Sequence, residues 1–215
     1  MMFRDREDAG RRVGEALGAK ARTEGLVVLG IPRGGVVVAY QVARLLNAPL
    51  DVFLSAKLPV PDQEELAFGA LVEDGTCVLN GEIIRAAHVS PLQIEDARAA
   101  AAERLRAKAS RYRSDRSAVE LNGRPVIAVD DGIATGASMK AAIQALRAKQ
   151  VVGVTVAVPV APAATCARLR LLADDLVCLI EPKEFSAVSQ FYADFRQTTD
   201  DEVAELLRRT TTFAP

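Results

Sequence analysis

Two patterns of apolar residues alternate along the chain. Short continuous runs occur at Leu26 to Gly30, Leu50 to Ala56, Val126 to Asp130, Val151 to Val158 and Leu176 to Ile180. Runs of this kind predict strands buried on both faces, as in a parallel sheet. Between them, apolar positions recur every three or four residues and predict helices. Asp5 caps an opening helix, with Asp8 in the capping-box place and Ala9, Val13, Ala16 and Leu17 facing inward. Further helices are predicted over Val36 to Asn47, Met139 to Lys149, Pro162 to Ala173 and Asp200 to Arg209, with a short one over Glu82 to His88. Ser90-Pro91 starts a long helix, Ser90 as cap and Pro91 at its first position. Ala97, Ala101, Leu105 and Ala109 form its narrow apolar stripe. Glu95 and Asp96 near its start, and Arg111 and Arg113 near its end, suit the helix dipole. Glu73-Asp74-Gly75-Thr76 predicts a hairpin turn, Pro59 to Asp62 a turn or loop, and Thr210 to Pro215 a mobile end.

Strands alternating with helices predict an α/β fold, a mainly parallel sheet with helices on both faces. No repeat and no linker divides the 215 residues, so one domain over 1–215 is expected. The 27 Lys and Arg nearly cancel the 28 Asp and Glu, for a formal charge of −1. That balance argues against a nucleic-acid partner bound through bulk electrostatics. No apolar run approaches the roughly 20 residues that span a bilayer. Met1 to Arg6 is charged and no apolar segment follows, unlike a secretion signal. Cys77, Cys166 and Cys178 lack Cys-x-x-Cys spacing and read as reduced thiols, so a cytoplasmic setting is expected. The one histidine, His88, excludes a His-rich metal site and reads as a surface or helix-end residue.

Val126 to Ser138 carries the chemistry. Four apolar residues bring a buried strand to its carboxyl end, where Asp130 and Asp131 stand together. In open α/β sheets that is where ligands bind. Gly132 and Gly136 let the following loop turn sharply and approach an anion. Ala134 to Ser138 can aim successive N–H groups inward, with the Thr135 and Ser138 hydroxyls and a helix start behind them. The two carboxylates repel phosphate but suit neutral hydroxyls. Together these parts suggest a cradle for a ribose 5-phosphate. Neither a Walker loop nor a dinucleotide fingerprint is present.

The run Val129-Asp130-Asp131-Gly132-Ile133-Ala134-Thr135-Gly136-Ala137-Ser138 resembles the phosphoribosyl-pyrophosphate (PRPP) signature of type I phosphoribosyltransferases. The wider chain is similar to a bacterial subfamily of such proteins, from Phe3-Arg4-Asp5-Arg6 through Gly30-Ile31-Pro32-Arg33-Gly34-Gly35 to Gln190-Phe191-Tyr192-Ala193-Asp194-Phe195. The resemblance implies that Asp130 and Asp131 bind the ribose hydroxyls, and that Gly132, Ala134, Thr135, Gly136, Ala137 and Ser138 hold the 5′-phosphate. It implies that Arg33, Gly34 and Gly35 contact pyrophosphate, with Lys57 as a second cation. Related sequences tend to carry two basic residues where this one has Ala56-Lys57.

The resemblance also implies Mg²⁺ bound mainly through PRPP and pyrophosphate, without a dedicated protein cage, and it allows a homodimer. A small cap built from 58–120 and 181–215 would hold the acceptor, a nitrogenous base. Phe185 or Tyr192 could stack on that base, and Glu64 or Glu65 could orient Lys57. Two alternatives compete with the transferase: a regulatory module that binds PRPP or a nucleotide without turnover, and a hydrolase of a phosphorylated ribose compound.

Overall fold

The computed structural model describes residues 2–18, 23–114 and 116–210. The chain divides into two compact units, Met1–Phe53 with Arg116–Pro215, and Leu54–Asp115.

The first unit holds β1 (Val27–Gly30), β2 (Leu50–Val52), β6 (Pro125–Val129), β7 (Gly153–Val160) and β8 (Asp175–Ile180). They form one sheet in the order β2-β1-β6-β7-β8, with every pair parallel. From β1 the chain moves one way to β2, then returns to the other side of β1 to lay down β6. The order reverses between β1 and β6, so their carboxyl ends flank the crevice where such sheets bind ligands.

Helices flank the sheet. α1 (Arg6–Leu17) packs on α2 (Gly34–Leu46) and reaches β7 and β8, while α7 (Asp200–Arg209) packs on α2 and β2. α5 (Ala137–Ala148) packs on β6 and β7, and α6 (Ala163–Arg170) on β8.

The start of α1 follows its sequence signal. The Asp5 carboxylate accepts from the Asp8 N–H at 2.8 Å, which satisfies one of the first turn's unpaired donors. Asp8 does not close the box on Asp5; its carboxylate accepts from the Arg4 N–H instead, at 3.2 Å. Ala16, expected inside, is exposed. The buried seam runs through Gly10 and Gly14, where a Cβ on Gly10 would stand 2.6 Å from Val38 O. Glycine at that crossing lets α1 lie directly on the backbone of α2.

Other boundaries shift. The apolar run from Leu50 to Ala56 is not one strand: it pairs with β1 only as far as Val52. After Phe53 the chain passes into the second unit and begins β3 (Ser55–Val60). α5 starts two residues before the expected Met139. Thr210, expected mobile, is buried, and its hydroxyl donates to Leu207 O at 2.6 Å. Residues 211–215 lie outside the described residues.

The second unit contains β3, β4 (Gln63–Val72), β5 (Cys77–Leu79), α3 (Gly81–Ala86) and α4 (Pro91–Arg113). Its three strands form an antiparallel sheet in the order β3-β4-β5. The hairpin turn at Gly75 is as expected: Gly75 has φ +91° and the Asp74 carboxylate accepts from the Thr76 N–H. Pro59, Pro61 and two acids mask the strand pattern of β3 and the start of β4; Asp62 makes the turn between them at φ +63°. α4 begins at a full capping box, Ser90 with Gln93. Ala101, Leu105 and Tyr112 are its buried residues, and Ala97 and Ala109 are half-buried.

Candidate active site at the carboxyl ends of β1 and β6

Two loops leave the reversal point of the sheet. Ile31 to Arg33 runs from β1 into α2, and Asp130 to Gly136 runs from β6 into α5. The Ile31 N–H donates to Val129 O at 2.8 Å, which ties the first loop to the end of β6. The peptide between Pro32 and Arg33 is cis.

Gly34 and Gly35 then pass against the two acids with no room for a side chain. A Cβ on Gly34 would run into the Asp131 carboxylate and lie 2.5 Å from Arg6 Nε. A Cβ on Gly35 would lie 2.9 Å from both Asp130 Cα and Val129 O. The expected pyrophosphate loop and the expected ribose acids are therefore immediate neighbours.

Asp131 is held from three directions. Its carboxylate accepts from Arg6 Nε at 2.6 Å. Its N–H donates to the Asp130 carboxylate at 2.8 Å, and its carbonyl accepts from the Tyr192 hydroxyl at 2.5 Å. Arg6 is fixed in turn: its Nη1 donates to Arg196 O at 2.7 Å, and its guanidinium lies 3.9 Å from the centre of the Phe195 ring. A short parallel pairing of Phe3 with Tyr192 brings the segment before α1 alongside residues 191–194. The Phe3 N–H donates to Phe191 O and the Ala193 N–H to Phe3 O, each at 2.8 Å. That pairing sets Arg6 over Asp131.

Burial, and then the adjacent Asp131 charge, push the Asp130 carboxyl well above its ordinary 3.8. An acid raised on folding lets the native state bind the proton more tightly. Its contribution to stability is therefore largest at low pH. It declines as pH climbs from the unfolded value through the folded one. We expect Asp130→Asn to melt above the wild type at pH 8, with the gap closing toward pH 4. A gap independent of pH would show that the carboxylate carries no such penalty.

The phosphate-loop candidate is braced by α6 and β7. Ile133 is buried and its N–H donates to Val160 O at 2.9 Å. The Thr165 hydroxyl donates to Ala134 O at 2.9 Å, and Arg168 Nη2 to Thr135 O at 3.2 Å. Gly136 caps α5 at φ +82°, a conformation that favours glycine, and a Cβ there would stand 2.9 Å from Thr165 Cγ2. Thr135 Oγ1 accepts from the Ala137 N–H at 3.4 Å. Ala134, Thr135, Ala137 and Ser138 are exposed at the helix start, where unpaired amides and the dipole favour an anion. Gly132 is pressed against the Val188 side chain.

Arg33 occupies the cap position of α2, with its side chain 38% exposed and its Nη1 4.0 Å from the Asp200 carboxylate. Lys57 is exposed on β3, in the second unit. The side chains of Glu64 and Glu65 lie outside what is described.

Of the aromatics, Phe185 is half-buried and stacks on Phe191 at 5.9 Å. Tyr192 differs from the expected open stacking ring. It is buried between Phe3 and Phe195, with ring centres 5.3 and 4.9 Å away. Its hydroxyl serves Asp131. Sequence reasoning gave no role to Arg6, Thr165 or Arg168. Arg6 lies within the Phe3 to Arg6 run that carried the resemblance, whereas Thr165 and Arg168 occupy ordinary helical positions with no local signal.

Residues 5–196 match the family described as phosphoribosyl transferase domain. The chain is 47% identical over 208 residues to proteins of two strains of Mycobacterium tuberculosis named "Putative phosphoribosyl transferase". The match takes in 97% of this chain and 47% of theirs, so the chain spans about half the length of these curated relatives. The crystal structure of TT1426 from Thermus thermophilus superposes over the full length of both chains, at 42% identity and a TM-score of 0.88. With a family match running from the cap of α1 to the residue whose carbonyl holds Arg6, the chain belongs to the phosphoribosyl transferase family.

Proposed function

We propose that the protein transfers the 5-phosphoribosyl group of PRPP to a nitrogenous base and releases pyrophosphate. The observation that carries this reading is the contact of Gly34 and Gly35 with Asp131 and Asp130 at the reversal point of the sheet. It supports the reading because the backbone that would take pyrophosphate lies directly beside the pair that would accept from the sugar, and the second loop ends at a helix start.

In this reading Asp130 and Asp131 accept from the ribose hydroxyls. Residues Gly132 to Ser138 hold the 5′-phosphate, and α5 adds its dipole. Arg33 and the amides of Gly34 and Gly35 take the pyrophosphate, with Lys57 as the second cation. The C1–O bond breaks and its electron pair leaves with pyrophosphate. The base nitrogen supplies the pair for the new C1–N bond and gives up its proton. The protein's share is positioning and charge stabilisation. Carboxylates already engaged by Arg6 and by a backbone amide suit a Mg²⁺ held chiefly through substrate oxygens, and that ion would neutralise leaving-group charge. Phe185 is the stacking candidate for the base, while Tyr192 positions Asp131. Among the described residues no helix is long and apolar enough to cross a membrane. Three free cysteines suit a reducing, cytoplasmic setting.

The test is to incubate the protein with PRPP, Mg²⁺ and single purine or pyrimidine bases. Pyrophosphate is expected to appear in step with a new N-glycosidic bond, and only when an accepted base is present. Release without any base would mean hydrolysis. PRPP binding without turnover across the bases would favour the regulatory alternative, and folded protein that does not bind PRPP would remove the site assignment altogether.

A further inference from the structure

Behind the phosphate loop, α6 and the end of β8 bring together Cys166, Cys178 and Glu181. One ligand atom from each lies within 4.8 Å of the other two. Among the described residues this is the one group of three or more His, Cys, Asp or Glu donors so placed. We propose that it binds a thiophilic divalent cation of the zinc class, through two sulfurs and one carboxylate oxygen.

The donor set and spacing suit that chemistry. Sulfur and oxygen ligands about 2.0–2.3 Å from a tetrahedral zinc lie roughly 3–4 Å from one another. Two sulfurs select against Mg²⁺ and Ca²⁺, which take oxygen. The site is therefore distinct in kind from any ion that travels with PRPP.

The surroundings agree. Arg170 donates from both terminal nitrogens to the two oxygens of Glu181, the support a ligating carboxylate normally has. Two thiolates, one carboxylate, one guanidinium and a divalent cation sum to zero charge, so the loaded cluster leaves no net charge in a half-buried place. Without a cation, Cys166 Sγ points to Ala161 O at 3.8 Å and Cys178 Sγ to Ile180 O at 3.2 Å, as thiol donors. Cys166 is fully buried, but Cys178 is half-exposed and Glu181 exposed, which leaves a way in.

The site has a structural consequence. Cys166 lies next to Thr165 on α6, and Thr165 and Arg168 hold the carbonyls of Ala134 and Thr135. A cation joining Cys166 to Cys178 and Glu181 would fix α6 to β8 and thereby stiffen the brace behind the phosphate loop.

The experiment titrates the intact, phosphine-reduced protein with Co²⁺ in a non-coordinating buffer. One equivalent is expected to give sulfur-to-cobalt charge-transfer absorption and tetrahedral visible bands, both displaced by Zn²⁺. Cys178→Ser should lose the charge-transfer band. Glu181→Gln, at an exposed position that leaves the fold intact, should weaken Co²⁺ binding by roughly tenfold or more. Cys77→Ser, in the second unit, should bind like the wild type. The proposal is overturned if stoichiometric Co²⁺ gives no charge-transfer band, if the band survives Cys178→Ser, if Glu181→Gln binds like the wild type, or if Cys77→Ser abolishes the band.

Discussion

Replacing Asp130 and Asp131 together by Asn is expected to reduce PRPP affinity by roughly 10²- to 10⁴-fold while the protein stays folded. Hydrogen bonds to charged acceptors contribute about 1.5–3 kcal/mol each. Two of them to ribose hydroxyls therefore amount to about 3–6 kcal/mol, or two to four decades in affinity. The two losses will not simply add, because Asp131 N–H donates to Asp130 and the two charges share one site. Asp131→Asn alone should be the costlier single change. It also breaks the pair with Arg6 and leaves an arginine side chain that is only 11% exposed without its counter-charge. Calorimetric titration of PRPP with Mg²⁺ checks this, with circular dichroism as the control for folding. A folded double variant that binds within about threefold of the wild type would remove the carboxylates from the sugar site.

The sheet was legible because its signal is local. Five apolar runs, each followed by a glycine- or proline-marked turn, suffice to write a parallel α/β unit. Asp130 to Ser138 was legible for the same reason, since a strand end, two acids and a loop of small residues are contiguous in the chain. The contacts that complete the site are not contiguous. Arg6 reaches Asp131 only because Phe3 pairs with Tyr192, nearly the whole chain away. No periodicity in either segment announces a single bridge. Tyr192 shows a different limit. An aromatic in an unpatterned stretch gives no sign of which face is open, and packing between Phe3 and Phe195 decided it. The division at Phe53 and Leu54 was hidden because the apolar run continues unbroken across it; only hydrogen-bond partners reveal that β2 ends and another sheet begins.

Gly34→Ala and Gly35→Ala should fail in different ways, although they are adjacent and chemically identical changes. Both lie in the first turn of α2, where alanine otherwise stabilises a helix by up to about 1 kcal/mol over glycine. Any loss must therefore come from crowding. At Gly34 the new methyl meets the ends of two side chains, the Asp131 carboxylate and the Arg6 guanidinium. These can swing aside, so the fold should survive with a small change in melting temperature. The cost falls on the geometry of Asp131, and PRPP affinity should drop by about 10- to 100-fold, the equivalent of roughly 1.4–2.7 kcal/mol. At Gly35 the methyl meets backbone, Asp130 Cα and Val129 O, each at 2.9 Å. Backbone at the end of a buried central strand cannot swing aside. Overpacking of this kind costs about 1–3 kcal/mol, which for a chain of this size lowers the melting temperature by roughly 2–10 °C. Thermal melting and PRPP titration of the two variants side by side separate these effects. If Gly35→Ala melts like the wild type, or Gly34→Ala binds PRPP like the wild type, the close approach of α2 to the Asp130–Asp131 pair is not what shapes the site.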